Sequence, residues 1–352
     1  MTVKKLLLTF ALTAVMLAAL NRLLEPKYMS GVFEGRLTAE YYKSEKNHDL
    51  LIIGDCEVYQ NISPITLWEE YGITSYIRGG AQQLIWQSYY MLEDALRYEV
   101  PRVVLLSVLA MKYGEPQREE YNRLNIDGMR WSTSKIGAIR TSRMPGESFL
   151  SYLFPLLRYH DRWRELSSED FKYFFRVKRV SHNGYMMRCD VKPAGVFPRA
   201  PRLPDYQFGD LSYKYLDKIT QLCADYGIEL VLLKAPSLFP HWYSEWDEQI
   251  VDYAEKHGLL YINSLDILDE IGIDFSTDTY NAGLHLNISG AEKMSMYLGR
   301  VLQEAFNLPD NRGDPDIYMA WLPKIDAYNE MRRAQYEEIE IYGEVRTFLI
   351  KN

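Results

Sequence analysis

The sequence predicts an α/β protein, a three-layer, doubly wound parallel sheet of about five strands with a helical insertion and an N-terminal membrane helix. Two observations carry this prediction. Strand-like runs lie at about 49–53, 73–77, 103–109, 228–234 and 259–262, of which the run at 73–77 is weaker. The run at 49–53 is continuously apolar and lacks the alternation of half-exposed strands, which is typical of a strand covered on both faces. Helical spacing of apolar residues follows four of these runs, at about 81–98, 211–226, 245–257 and 289–306. Ligands of such sheets bind at the carboxyl ends of the strands.

The composition is that of an ordinary globular protein with an acidic balance. The 352 residues are 47% hydrophobic and 25% charged, and the formal net charge is −8. These values exclude intrinsic disorder and a multi-span membrane protein, and the length suits one large domain or two modest ones. No nucleic-acid partner is expected, because phosphate binding needs clustered Lys and Arg. The 28 tyrosines fit either an aromatic-rich core or a sugar-facing groove.

The first 24 residues have the pattern of an exported chain. Lys4 and Lys5 precede an apolar run at 6–20, and Arg22 follows it. We predict an uncut signal anchor over 1–24, with the N-terminus inside the cell and the remainder outside. The protein would then be a single-pass protein of the cell membrane, with most of the chain extracytoplasmic. A cleaved signal peptide and a buried helix of a soluble protein are the alternatives.

Three segments are predicted after the anchor. Residues 25–47 form a linker, and 48–308 form the α/β domain. Residues 309–352 form a charged helical tail, which either packs on the domain or stands apart.

An insertion at about 112–207 interrupts the alternation of strands and helices, and we expect it to cover one edge of the sheet. Two amphipathic helices are predicted within 147–175. The second begins near Ser167, where Asp170 completes an acidic capping arrangement.

The segment Gly54-Asp55-Cys56-Glu57 directly follows the first predicted strand. A glycine at this point permits a sharp turn, which leaves Cys56 at the mouth of the sheet and at a helix N-terminus. Helix N–H groups favour a thiolate, so we expect a lowered thiol pKa and a nucleophile. The competing interpretation is a small buried hydrophobe. With Cys189 and Cys223, Cys56 allows at most one disulfide.

A second polar segment, at 274–287, leads into the last predicted helix, for which Ser289 is the expected N-cap. It carries Asp278, Asn281 and His285, residue types that can orient an imidazole or move a proton. The alternative is a loop of turn-forming Asx residues with one histidine beside a helix. Neither a metal nor a cofactor is predicted, because no metal-ligand spacing and no phosphate-binding loop is present.

Together, these two segments resemble the SGNH, or GDSL-like, hydrolase superfamily. Gly54-Asp55-Cys56 matches its first block with Cys in place of Ser, and residues 283–291 match its last block in the His-Leu-Asn form. That form is similar to an extracytoplasmic branch that includes D-alanyl-lipoteichoic acid transfer and alginate O-acetylation proteins. The resemblance covers roughly 48–110 and 208–308, and it implies an SGNH-type, flavodoxin-like sheet.

The resemblance also implies roles for individual residues. Carried over by position, Cys56 is the nucleophile and His285 is the general base. Ala282 stands where the superfamily has its Asp. Asp278 or Asn281 would therefore orient the histidine, with a slight preference for Asp278 because its charge would stabilise an imidazolium.

An oxyanion hole is implied in the same way. Its donors would be the backbone N–H of Cys56 and that of Gly79 or Gly80. The superfamily's Asn after strand three is missing from this sequence. Gln82 or Gln83 would replace that donor.

Two functions are compatible with the resemblance. The first is a membrane-anchored, outward-facing acyl-ester hydrolase or O-acyltransferase on a cell-envelope glycan, working through an acyl-thioester on Cys56. The second is a catalytically inactive binding or accessory protein in envelope-polymer modification, favoured by the missing Asn and by Ala282. The implied partners are the glycan or acyl donor and, for the second function, a membrane-bound O-acyltransferase.

Overall fold

A five-stranded, all-parallel sheet forms the centre of the computed structural model, which describes residues 2–25, 34–175, 181–195 and 199–346. The strands are β1 (Leu50–Gly54), β2 (Ser75–Gly79), β3 (Val103–Ser107), β4 (Glu229–Lys234) and β5 (Leu260–Asn263). Their order is β2-β1-β3-β4-β5, so the chain first builds one edge from β1 and then crosses back to build the other. The prediction of about five parallel strands is confirmed.

Helices flank the sheet and form most of the insertion and the tail. They are α1 (Val3–Leu24), α2 (Glu34–Glu40), α3 (Cys56–Asn61), α4 (Pro64–Tyr71), α5 (Ile85–Ala95), α6 (Glu119–Asp127), α7 (Thr133–Ser142), α8 (Leu150–Leu153), α9 (Leu156–Tyr159), α10 (Ser168–Phe175), α11 (Asp210–Tyr226), α12 (Ser244–His257), α13 (Leu268–Ile271), α14 (Ile288–Phe306) and α15 (Pro315–Tyr342). Short 3-10 helices lie at Tyr41–Lys43, Leu109–Lys112, His160–Arg164 and Asn311–Gly313. α5 is shorter than the helix predicted at 81–98, because Gln82 adopts the left-handed conformation and a turn precedes the helix.

Both faces of the sheet are covered, because successive side chains of a strand point to opposite sides. Leu50 and Ile52 belong to one core, together with side chains of α4, α14 and α15. Leu51 and Ile53 belong to the other, with α5, α11 and α12. All residues of β1, β2 and β3 are buried. This two-sided burial explains the apolar runs without alternation.

The insertion covers the β2 edge of the sheet, as expected. The Ile77 N–H donates to the Asn183 carbonyl at 2.9 Å, and Asn183 Nδ2 donates to the Ser75 carbonyl at 3.0 Å. Gly184 has a φ of 90°, and a Cβ there would lie 2.1 Å from the Ile77 oxygen. Only glycine permits this close approach, which caps polar groups that an open edge strand would expose.

The insertion contains more helices than the sequence predicts. α6 and α7 were not expected, and the first helix predicted in 147–175 is divided into α8, α9 and a 3-10 helix. Pro155 stands between α8 and α9, and proline lacks the N–H that a continuous helix would need. α10 begins at Ser168, and Asp170 accepts from the Ser167 N–H at 2.8 Å, as the capping pattern predicts. Residues 176–180 and 196–198 of the predicted insertion lie outside the described residues.

The described part of the predicted linker is folded onto the domain. Leu37 and Tyr41 are buried, and the Tyr41 hydroxyl donates to Glu99 at 2.6 Å. The tail also packs on the domain, because Trp321 of α15 stacks on Trp68 of α4 with ring centroids 4.8 Å apart. Residues 26–33 and 347–352 of these two segments lie outside the described residues.

α1 is long and apolar enough to cross a membrane. It has 22 residues, and none of its most apolar stretch is buried within the described structure. The alternative of a buried N-terminal helix therefore does not hold for this fold. Length and composition also suit a signal sequence, so cleavage and orientation remain predictions.

Candidate functional site

The candidate site begins where β1 turns into α3, at the carboxyl edge of the sheet. Gly54 ends β1 so close to β3 that a Cβ there would lie 2.5 Å from Ser107 Cβ. Asp55 is the N-cap of α3 and accepts from the Glu57 N–H at 3.0 Å. Cys56 is the first residue of the helix and is half-buried. The predicted position of the thiol is confirmed.

The expected activation of this thiol is wrong. Burial raises the pKa of Cys56 well above its usual value, and the neighbouring charges of Asp55 and Glu57 raise it further. Lys112 acts in the opposite direction but does not reverse the shift. A six-residue helix supplies a weak dipole next to two acidic side chains. Cys56 is therefore a protonated thiol at neutral pH.

A buried ion pair lies beside the thiol. Lys234 ends β4, and its Nζ donates to Glu57 Oε1 at 2.7 Å and to the Ala235 carbonyl at 2.6 Å. Both charged side chains of the pair are almost fully buried. Burial also lowers the pKa of Lys112 and raises that of Asp55 to about 7. The site is thus a dry cluster of opposite charges at the ends of β1, β3 and β4.

His285 is bound on one side by Asn281. The His285 backbone N–H donates to Asn281 Oδ1 at 2.7 Å, and Asn281 Nδ2 lies 2.8 Å from His285 Nδ1. A backbone N–H can only donate, so it fixes the Asn281 oxygen toward itself and the NH₂ group toward the ring. Nδ1 must then accept, which places the proton of the neutral ring on Nε2.

The imidazole is held neutral. Burial, together with the positive charge of Lys234, lowers the pKa of His285 to about 3. Its Nε2 is buried and has no hydrogen-bond partner in the described part of the chain. His285 therefore presents an N–H donor whose acceptor is not supplied by the described residues. A general base would instead need the proton on Nδ1 and a lone pair on Nε2.

Asp278 is not the partner of this ring. Its carboxylate binds Lys293 Nζ at 2.6 Å, Ser289 Oγ at 2.8 Å and the Asp274 N–H at 2.8 Å. The preference for Asp278 as orienting residue is therefore wrong, and Asn281 has that position. Ser289 is not the N-cap of α14 either.

The cap of α14 is Asn287, whose side chain accepts from the Gly290 N–H at 3.2 Å. The N-cap of α14 therefore lies two residues before the predicted Ser289. The Ser289 hydroxyl is already committed to Asp278.

The two predicted segments meet at the same edge of the sheet. The Leu286 N–H donates to Asn61 Oδ1 at 2.8 Å, and the Tyr280 hydroxyl binds Gln60. These bonds join the helix that begins at Cys56 to the loop that carries His285. The sequence places Lys112 and Lys234 at the same carboxyl edge of the sheet but gives them no role, and it gives no sign of the Asn61 bond.

Two of the predicted oxyanion donors already donate hydrogen bonds to acceptors within the protein. The Gly80 N–H donates to the Gly54 carbonyl at 3.3 Å. Gln83 Nε2 donates to the Arg78 carbonyl at 3.3 Å and to Ser88 Oγ at 3.0 Å. Gln82 is half-buried in the turn after β2, and Gly79 ends that strand beside Gly54. The backbone N–H of Cys56, Gly79 and Gln82 remain the candidate donors.

The three cysteines are free thiols, and Cys189 and Cys223 are buried. Among the described residues, no group of three His, Cys, Asp or Glu side chains could hold a metal ion. The polar features of the site are therefore its hydrogen-bond donors and its buried charges.

We expect iodoacetamide to alkylate Cys56 of the full chain at pH 7 more slowly than free cysteine, because a raised pKa lowers the fraction of reactive thiolate. The rate should rise with pH. Lys112→Met should slow it further, since Lys112 favours the thiolate. Cys189 and Cys223, whose pKa burial raises to about 12, serve as internal controls and should label only after unfolding. Rapid, selective labelling of Cys56 at pH 6 would contradict this account, and mass spectrometry of tryptic peptides gives the rates.

Comparison with known proteins adds no family assignment. The chain matches no protein-family model, and a search of curated proteins finds no significant similarity.

Proposed function

We propose that the chain is a membrane-anchored, outward-facing protein with an SGNH-type, flavodoxin-like fold that binds acyl esters of a cell-envelope glycan. The strand order β2-β1-β3-β4-β5 supports the fold, because it is the order of the flavodoxin-like doubly wound class. The resemblance of 54–56 and 283–291 to the SGNH blocks supports the choice of ligand. The observation that carries the proposal is the unpartnered Nε2–H of His285.

A buried N–H without an acceptor costs about 1–3 kcal/mol, and a bound ligand that supplies an oxygen recovers this free energy. An ester carbonyl is such an acceptor. It is also neutral, which suits a site whose thiol is protonated and whose imidazole is uncharged. The positive charge of Lys112 near Cys56 would add to the attraction for a carbonyl oxygen.

The same arrangement opposes ester cleavage by the isolated chain. A thiol attack on an ester requires an acceptor for the thiol proton. His285 cannot take it while Asn281 holds Nδ1 as an acceptor and the ring proton occupies Nε2. We therefore place the protein in the accessory class, presenting an acylated or acceptor glycan to a membrane-bound O-acyltransferase.

A second candidate is an acyl-ester hydrolase or O-acyltransferase that uses Cys56. The half-buried thiol lies at the ligand-binding edge, and the Leu286–Asn61 bond ties its helix to the His285 loop. In this reaction the sulfur attacks the ester carbonyl, the glycan oxygen leaves with the thiol proton, and water or a hydroxyl then takes the acyl group from the thioester. It requires a rearrangement of Asn281 that moves the ring proton to Nδ1.

Binding is tested with the full chain in detergent and a chemically O-acetylated chitooligosaccharide, compared with the same sugar after mild alkaline deacetylation. We expect calorimetry to show about tenfold tighter binding of the acetylated form, the value of one good hydrogen bond. His285→Phe keeps an aromatic ring but removes the donor, so it should abolish that preference. Equal affinities for both sugars would contradict the proposal.

Turnover of p-nitrophenyl acetate separates the two candidates. The binding function predicts that the wild-type chain is no faster than Cys56→Ala. Turnover that both Cys56→Ala and His285→Ala abolish would instead establish the thioester enzyme.

A further inference from the structure

The short helices of the insertion expose a cluster of large apolar side chains. We call this cluster the platform; it comprises Phe154, Leu157, Trp163, Phe171 and Phe175. Each of these side chains is more than half exposed, from 51% for Phe171 to 80% for Phe175. Single exposed apolar residues are ordinary, but a concentration of them on neighbouring short helices marks an interaction surface.

The platform adjoins the end of α1. The Leu156 N–H donates to Asn21 Oδ1 at 3.2 Å, and Arg162 Nη1 donates to the Leu24 carbonyl at 3.0 Å. Arg22 Nε donates to the Phe174 carbonyl at 3.0 Å. Three separate bonds thus hold α9, the following 3-10 helix and α10 against the last turn of α1.

The length of α1 fixes where that last turn lies. A helix of 22 residues is about 33 Å long, which matches the hydrocarbon core of a bilayer of about 30 Å. If α1 crosses the membrane, residues 21–24 lie at the level of the headgroups. Any element bonded to these residues lies at the same level.

We infer that the platform is a second membrane contact, with its apolar side chains inserted into the boundary between headgroups and acyl chains on the outer side. The occupant is lipid, because the elements that carry the platform are bonded to the end of α1, whose apolar stretch is itself unburied. Trp163 has the residue type that favours this boundary. Short helices that expose apolar side chains there insert about 5–10 Å deep. The inference rests on the membrane anchoring in the proposed function.

The test uses the full chain with Cys56→Ala and one new cysteine at a time, carrying an environment-sensitive fluorophore. Phe154→Cys and Phe171→Cys report on the platform, and Leu12→Cys reports on α1. Tyr226→Cys is the matched control, since this tyrosine is similarly exposed at the end of α11. The buried Cys189 and Cys223 stay unlabelled in the native chain. Each variant is reconstituted in phosphatidylcholine vesicles with brominated acyl chains, which quench fluorophores in contact with them.

We expect quenching at positions 12, 154 and 171 to exceed that at position 226 severalfold. Quenching at position 12 with none above control at 154 and 171 would overturn the platform and leave the anchor intact. No quenching at position 12 would overturn the anchoring itself, and the platform with it. Photo-cross-linking in native membranes from a benzophenone side chain at Leu157 should yield lipid adducts. A protein adduct would overturn the lipid contact in favour of a membrane-protein partner.

Discussion

Asn281→Asp is expected to convert the protein into an ester-cleaving enzyme. The introduced carboxylate has two acceptor oxygens, one for the His285 backbone N–H and one for a proton on Nδ1. Nε2 then becomes a lone-pair acceptor, and the nearby negative charge raises the pKa of His285. A positioned general base contributes about 10²–10⁴-fold to rate, so turnover of p-nitrophenyl acetate should rise by about 10²-fold or more.

The gain must depend on the thiol. Asn281→Asp combined with Cys56→Ala should return to the background rate. Asp278→Asn serves as the matched control, because its carboxylate contacts Lys293 and Ser289 and not the ring. No gain in Asn281→Asp would show that His285 is not placed to serve Cys56. A similar gain in Asp278→Asn would show that the assignment of roles within the loop is wrong.

The second large effect is expected from the buried ion pair. Glu57→Gln or Lys234→Met alone should lower the free energy of unfolding by about 3–5 kcal/mol, because each leaves one uncompensated buried charge. The double variant should lose much less than the sum, since it removes both charges from the dry site. Urea denaturation of the full chain in detergent, followed by circular dichroism, gives the three values.

An exposed ion pair is the control for the Glu57–Lys234 double-mutant cycle. Arg300 Nη2 and Glu270 Oε1 are 3.0 Å apart, but both side chains are about half exposed. Glu270→Gln should therefore leave the stability nearly unchanged. Additive losses in the Glu57–Lys234 cycle, or single losses as small as that of Glu270→Gln, would contradict a pair sealed from water.

The sequence was sufficient for the sheet and for the meeting of two distant segments. A strand that is buried on both faces has an apolar sequence without alternation, so β1, β3 and β4 could be predicted. Since parallel strands share one carboxyl edge, residues that follow β1 and residues that precede α14 were expected near each other. The bond between Leu286 and Asn61 confirms this proximity.

The charges of the site could not be predicted in the same way. Glu57 and Lys234 are 177 positions apart, and nothing local shows that they pair. Burial raises the thiol pKa of Cys56, and the carboxylates of Asp55 and Glu57 raise it further. The only indication in the sequence was Lys234 at the end of an apolar strand, because a buried charge needs a partner.

The choice between Asp278 and Asn281 depends on loop geometry. Both residues precede His285 in a polar loop, and charge alone favoured Asp278. The loop instead turns Asp278 toward Lys293 and Ser289 of α14, whereas Asn281 faces the ring. At position 281 the amide nitrogen of Asn donates to Nδ1, so the ring proton lies on Nε2. A carboxylate oxygen at the same place would accept from Nδ1 instead.

The position of that proton is the central claim, and nitrogen NMR of the imidazole measures it directly. The full chain is labelled with ¹⁵N-histidine, and His285 is assigned by the signals lost in His285→Phe. The account predicts a neutral ring from pH 5 to pH 8 with its hydrogen on Nε2, and a shift of that hydrogen to Nδ1 in Asn281→Asp. A wild-type ring that carries its hydrogen on Nδ1, or that becomes protonated near pH 6.5, would contradict the account.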